Sequence, residues 1–166
     1  MLADCSQCVG LCCVVPPFDA EQGFGFDKPA ETPCQHLCAD HRCGIHDDLI
    51  ERGFSGCVAF DCLGAGQRLT AQAQARFGST DWRARPDVAR WLMAAYPRVR
   101  RVQEQLATLT LAAMLPGGSS DLAALAQALE AEAERWHAWS PEQEAAWRAR
   151  VAQALAPLAD NRPPKG

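Results

Sequence analysis

The stretch Cys5-Ser6-Gln7-Cys8-Val9-Gly10-Leu11-Cys12-Cys13 decides how this chain is read. As a helix at about 100° per residue, it sets Cys5, Cys8 and Cys12 within roughly 60° of one another on one face, with Cys13 about a quarter-turn away. Three thiols then aim at one spot. Asp4 is a candidate N-cap, and Val14-Val15 followed by Pro16-Pro17 closes the predicted helix after about three turns. Cys34, Cys38, Cys43, Cys57 and Cys62 follow, so all nine cysteines precede residue 63. Thiols used merely as small hydrophobes would not stop so abruptly along a chain.

A chain of 166 residues forms one ordinary domain, or a small domain with an appended helical one, and buries a real core either way. The net charge of −4 and the lack of any Lys/Arg run argue against nucleic-acid binding and against attachment to an anionic membrane. Met1-Leu2-Ala3-Asp4 supplies neither the positive nor the apolar segment of a targeting signal. The apolar run from Val9 to Val15 is far short of the about 20 residues that span a bilayer. The expected setting is therefore cytoplasmic. Thiols are kept reduced there, so a dense cysteine pattern reads as a metal site before it reads as a disulfide framework or as inert core thiols.

After the opening stretch, Phe18 to Pro33 is loop-like, punctuated by Gly23, Gly25, Pro29 and Pro33, with phenylalanines placed to shield the cysteine centre. Between Cys34 and Cys62 lie His36, His41 and His46, and a short helix is predicted over 45–52, ended by Gly53. Gly64-Ala65-Gly66 lacks the Lys-Ser/Thr of a phosphate-binding loop and reads as a turn. From Asp87, a helical stripe runs through Val88, Trp91, Leu92, Ala95, Val99, Val102, Leu106, Leu109 and Ala113, with Pro97 as a point of bending and Pro116-Gly117-Gly118 as its stop. A second helix is predicted from about Ser120 or Asp121 to Trp136, burying Leu122, Leu125, Leu129 and Trp136. A third opens with Ser140 as N-cap, Pro141 at the first helical position and Gln143 completing a capping box. Its apolar face is Trp147, Val151, Ala154, Leu155 and Leu158, and the tail from Asp160 to Gly166 is expected to fray.

The chemistry resides in the cysteine spacing, Cys-x2-Cys-x3-Cys-Cys and then Cys-x3-Cys-x4-Cys-x13-Cys-x4-Cys. Soft thiolates suit zinc, iron–sulfur clusters or Cu(I), and four per site is usual for the first two. Neighbouring side chains diverge and chelate one ion poorly, so Cys12-Cys13 would feed two adjacent sites, or two metals of one cluster. The spacing matches neither a zinc ribbon nor a bacterial ferredoxin, and does not by itself name the metal.

The opening Cys5-x2-Cys8-x3-Cys12-Cys13, with Cys34-Gln35-His36-Leu37, Cys43-Gly44-Ile45-His46, Arg52-x4-Cys57 and Cys62, resembles the YkgJ-like cysteine-cluster family, a zinc- or iron-chelating domain. The resemblance covers roughly residues 4 to 63. It implies metal ligands at Cys5, Cys8, Cys12, Cys13, Cys34, Cys43, Cys57 and Cys62, and leaves Cys38 supernumerary, read as a free thiol before a further ligand. Where the family has a tyrosine after Cys-x-Ile this chain has His46, which makes His46 a candidate substitute ligand. Where the family has Arg-Pro it has Arg52-Gly53. A related domain occurs in flagellin lysine N-methylases, so the resemblance allows an enzyme.

The expected fold is mainly α: a Cys-rich metal-binding domain over 1–66, a helical region over 67–118 packed on it, and a C-terminal helical hairpin over 119–166. The favoured reading is a metal-binding protein holding an iron–sulfur cluster, slightly preferred, or Zn2+. Alternatives are a cluster-dependent redox or group-transfer enzyme and a thiol redox or metal-handling protein. Metal ions are the expected partners, with the C-terminal helices offering a surface for a protein partner. Asp27, Asp47, Asp48 and Asp61 are candidate acids or bases, with capping or solvated roles as the default reading. His137 and the five tryptophans read as helix packing.

Overall fold

A computed structural model describes residues 3–116 and 118–160. Gly117 of the expected helix stop, Met1-Leu2 of the N-terminus and the tail from residue 161 lie outside the described residues. The fold is mainly α-helical, with a loop-rich N-terminal region followed by helices. These are α1 (Ser55–Ala59), α2 (Ala65–Phe77), α3 (Pro86–Met114), α4 (Ser120–Glu130) and α5 (Pro141–Asp160). Among the described residues, no helix is long and apolar enough to cross a membrane. The chain divides into two compact units, Met1–Arg100 and Arg101–Gly166.

In the first unit the opening stretch departs from the predicted single helix. It forms two separate 3-10 turns, Cys5–Gln7 and Leu11–Cys13. Cys8 is extended, at φ −122° and ψ 144°, and Gly10 turns the chain at φ +75°. Glycine reaches that left-handed conformation without steric cost, and it breaks the helical register between Cys8 and Cys12. A side chain there would also strike Leu37, with Cβ only 2.7 Å from its Cδ1. The expected cap does form, with the Asp4 carboxylate accepting from the Ser6 N–H at 2.8 Å. The helix predicted over 45–52 is likewise reduced to a 3-10 turn, His46–Asp48, and the regular helix begins instead at Ser55 and carries Cys57. Gly64 supplies a turn at φ +84°, and α2 starts directly after it.

Beyond the turns, Phe18 and Lys28 pair as an isolated antiparallel bridge, as do Leu37 and Cys43. Ile45, Leu49 and Phe54 form a small buried cluster, with Phe26, Cys43 and Cys57 packed against it. Helix α2 packs on the Cys5–Gln7 turn. Leu69 and Ala73 of α2, and Val88, Leu92 and Val99 of α3, are fully buried. Helix α3 runs through Pro97 without interruption.

In the second unit α4 and α5 pack together. The second predicted helix stops early, at Glu130, and Trp136 lies in a following 3-10 segment, Ala133–Ala138. Its indole is nonetheless buried and donates to the Leu129 carbonyl at 3.1 Å. The capping box opens α5 as read: Gln143 N–H donates to Ser140 Oγ at 3.3 Å, and Ser140 N–H to Gln143 Oε1 at 2.8 Å. Trp139 and Trp147 stack with ring centroids 5.9 Å apart. Arg101 meets the buried Glu144 carboxylate with two donors, at 2.5 and 3.0 Å.

Candidate metal centre

The thiol-bearing turns are too short to hold themselves in place, and side chains from distant positions clamp their backbones. The Trp82 indole donates to the Val9 carbonyl at 3.0 Å. The Arg42 guanidinium donates to the carbonyls of Cys5 and Ser6, and Arg83 to those of Cys38 and Ala39 at 2.7 and 2.8 Å. Cys34 N–H donates to the Cys13 carbonyl at 2.8 Å, tying the second group of cysteines to the first. Such bonds replace the regular ladder that a true helix would supply.

Two adjoining cavities result. The larger, about 410 Å³, is lined by Cys5, Cys8, Cys12, Cys13, Cys34, Cys43 and Cys57. His36, His41 and His46 also reach it, and Phe18, Phe24, Ile45, Leu49, Phe54 and Phe60 make its apolar wall. The smaller, about 20 Å³, is lined by Cys5, Cys8, Cys12 and Cys62 with Gly66, Gln67 and Tyr96. Cys12 and Cys13 hold their sulfurs 4.0 Å apart. Cys38 lines neither cavity, and all nine thiols are free.

Six of the thiols hold their protons strongly. Burial, followed by the neighbouring thiols, pushes Cys5, Cys34, Cys43 and Cys57 up, Cys57 to about 11. Burial also raises Cys8. Cys12 is raised well above the ordinary thiol range, first by its hydrogen bond with Cys13 and then by burial. Near neutral pH, a set of this kind becomes thiolate when a cation takes the place of the protons. Among the described residues, no group of three or more His, Cys, Asp or Glu side chains has, as it stands, the geometry to hold a metal ion. The sulfurs ring a space instead of converging on a point about 2.3 Å from each, the Zn–S bond length. Their chemistry fits a thiolate-bound group, and a space of about 410 Å³ fits one larger than a single ion.

The aspartates take structural roles. Asp27 accepts from the Ala20 N–H and Asp61 from the Leu63 N–H, while Asp48 pairs with Arg52 four residues on. Asp47 meets the exposed His46 ring, at 3.5 Å.

Two residues absent from the sequence-based candidates stand beside the sulfurs. Lys28 is buried, and its ammonium donates to the carbonyls of Val14, Pro16 and Pro29 at 3.1, 2.7 and 3.1 Å. It lies over the Phe18 ring; burial lowers its pKa, and the charges of Cys34 and Cys13 act against that shift and favour the ammonium form. One signal pointed to it: this chain has only two lysines and otherwise uses arginine. Tyr96, from α3, reaches the smaller cavity and is 2% exposed. Within the α3 stripe it reads as an ordinary core aromatic, and it is the chain's only tyrosine.

Comparison with known proteins finds an uncharacterized relative. The chain is 41% identical over 104 residues to the uncharacterized protein YybG of Bacillus subtilis (strain 168), a match covering 63% of this chain and 36% of the relative. The chain thus spans little more than a third of the length of the curated relative it matches. No protein-family model matches the chain. No solved structure matches it either.

Proposed function

We propose that this protein is a metal-binding cysteine-cluster protein of the YkgJ-like kind, holding an iron–sulfur cluster or zinc through Cys5, Cys8, Cys12, Cys13, Cys34, Cys43, Cys57 and Cys62. One observation carries the reading: these eight cysteines line two adjoining cavities, and the ninth, Cys38, lines neither. The buried Lys28 ammonium supports it by offsetting part of the negative charge that thiolates would bring.

Iron–sulfur is favoured over zinc. The adjacent sulfurs of Cys12 and Cys13 suit a polynuclear group, and the larger cavity exceeds a single tetrahedral ion. Bound there, a cluster would supply electron transfer or Lewis acidity, with the phenylalanines as an apolar wall on one side of the sulfurs. A cytoplasmic setting belongs to the same reading, since it keeps the thiols reduced. A second reading, a cluster-dependent redox or group-transfer enzyme, draws on the apolar wall of the larger cavity, which offers a small substrate a place beside the sulfurs.

The test is anaerobic purification of the untagged chain from unsupplemented cells. Iron, zinc, copper and acid-labile sulfide per chain are measured alongside the visible absorption. Iron with matching sulfide and a brown colour supports a cluster; colourless protein with zinc makes the centre structural; protein with no bound metal overturns the proposal.

A further inference from the structure

The smaller cavity has a feature that ligand chemistry explains and packing does not. Its wall holds four sulfurs, Cys5, Cys8, Cys12 and Cys62, and one phenol, Tyr96. The Tyr96 ring is buried and, among the described residues, its hydroxyl has no hydrogen-bond partner. Buried hydroxyls are almost always paired, so an unpaired one aimed into a cluster of sulfurs calls for an acceptor. Besides burial, the charges that act on this phenol are those of Cys12, Cys62 and Cys8, opposed by that of Arg100. A phenol O–H donates and a thiolate accepts, whereas a protonated thiol is a weak acceptor.

Gly66 points the same way independently. It lies buried within α2, where alanine would be the better helix former. A Cβ at this position would come within 2.6 Å of the Cys8 sulfur, so the bare Cα leaves that sulfur its room. Helices α2 and α3 thus each contribute one residue fitted to the same sulfurs, Gly66 by what it omits and Tyr96 by what it donates.

We infer that Cys5, Cys8, Cys12 and Cys62 form one metal site of the centre and that Tyr96 donates its O–H to a thiolate of that site. The inference rests on the metal-binding reading above and adds to it a division of the ligands. Cys13, Cys34, Cys43 and Cys57 are left to a second site or to the far side of one cluster, and the bond between Cys12 and Cys13 residues joins the two. Tyr96 is a positioning residue: it steadies a ligand and lowers the electron density on its sulfur.

The test titrates Co2+ anaerobically into the reduced, metal-free full chain and into Tyr96→Phe. Wild type should take up Co2+ with a thiolate-to-cobalt charge-transfer band. Tyr96→Phe should bind the same number of ions, but part of them about tenfold or more weakly. Part of its band should move to longer wavelength, because a thiolate without its donor gives up an electron more readily. The metal-free variant should melt no lower than wild type, since the ring is kept and only an unpaired hydroxyl is removed. A merely structural tyrosine would do the reverse, lowering that melting temperature and leaving the band in place. A second measurement needs no variant. As the chain's only tyrosine, Tyr96 gives an unambiguous Raman doublet, which should shift to the ratio of a strong donor when Co2+ is added. Cobalt uptake with an unchanged doublet, or with a variant matching wild type in affinity and spectrum, overturns the role of Tyr96 and leaves the metal reading standing. Failure of wild type to take up Co2+ overturns both.

Discussion

Lys28 shows how one residue can hold a loop that has almost no regular structure of its own. Its three N–H donors meet three carbonyls from two chain segments, and its position beside Cys13 and Cys34 gives those sulfurs a counter-charge. Each bond from a charged donor contributes about 1.5–3 kcal/mol, against about 0.5 kcal/mol or less for a surface lysine. Lys28→Met keeps the stem and removes the donors; it should cost about 3 kcal/mol, read as a lowered urea midpoint with an unchanged slope. The cysteines divide at the same scale. Cys8→Ser should lose metal and loosen the first unit while α4 and α5 stay folded, as hydrogen exchange would report. Cys38→Ser should keep the wild-type metal content. Full metal content in Cys8→Ser would remove that residue from the ligand set.

At the scale of elements, helices obeyed their end signals where nothing distant competed with them. Ser140 and Gln143 exchange the two bonds of a capping box at the start of α5. Ser140→Ala should therefore destabilise the second unit by about 1 kcal/mol, seen as a fall in its melting temperature. The opening stretch behaved differently. Cys8 is extended and Gly10 is left-handed, so Cys5 and Cys12 come together through tertiary contacts and not through helical periodicity. The competing forces are the clamps from Arg42 and Trp82, which hold carbonyls that a helix would have used internally. Similarly, Cys57 belongs to a five-residue helix too short for an apolar stripe to reveal.

For the whole molecule, the raised thiols set a pH dependence with a definite sign. A thiol at about 11 in the folded state, against 9.0 ordinarily, keeps its proton after the unfolded chain has begun to lose it. Cys57 therefore favours the native metal-free chain below the ordinary value, and that contribution is lost as pH rises from 9.0 to about 11. Cys5, Cys34 and Cys43 shift in the same direction. Denaturation of metal-free protein across this range should show a falling urea midpoint, and thiolate-bound metal should flatten the fall. An unchanged midpoint would mean that the thiols are more open to water than their burial indicates.

The sequence by itself determined that the chain is mainly helical, that its cysteines end at residue 62, and where α5 begins, because periodicity, composition and capping are local properties. The family resemblance marked out eight of the nine cysteines. Only the tertiary structure decided which of them line each cavity and that Cys38 lines neither. It also decided that Tyr96 joins the lining of the smaller cavity, and that Lys28 lies within electrostatic reach of Cys13 and Cys34. Lys28 looks like a loop lysine and Tyr96 like one more apolar position of α3 until long-range packing brings them beside cysteines far away in the chain. Sequence patterns record the neighbours a residue has along the chain; a site assembled from turns without periodicity is set by neighbours across space.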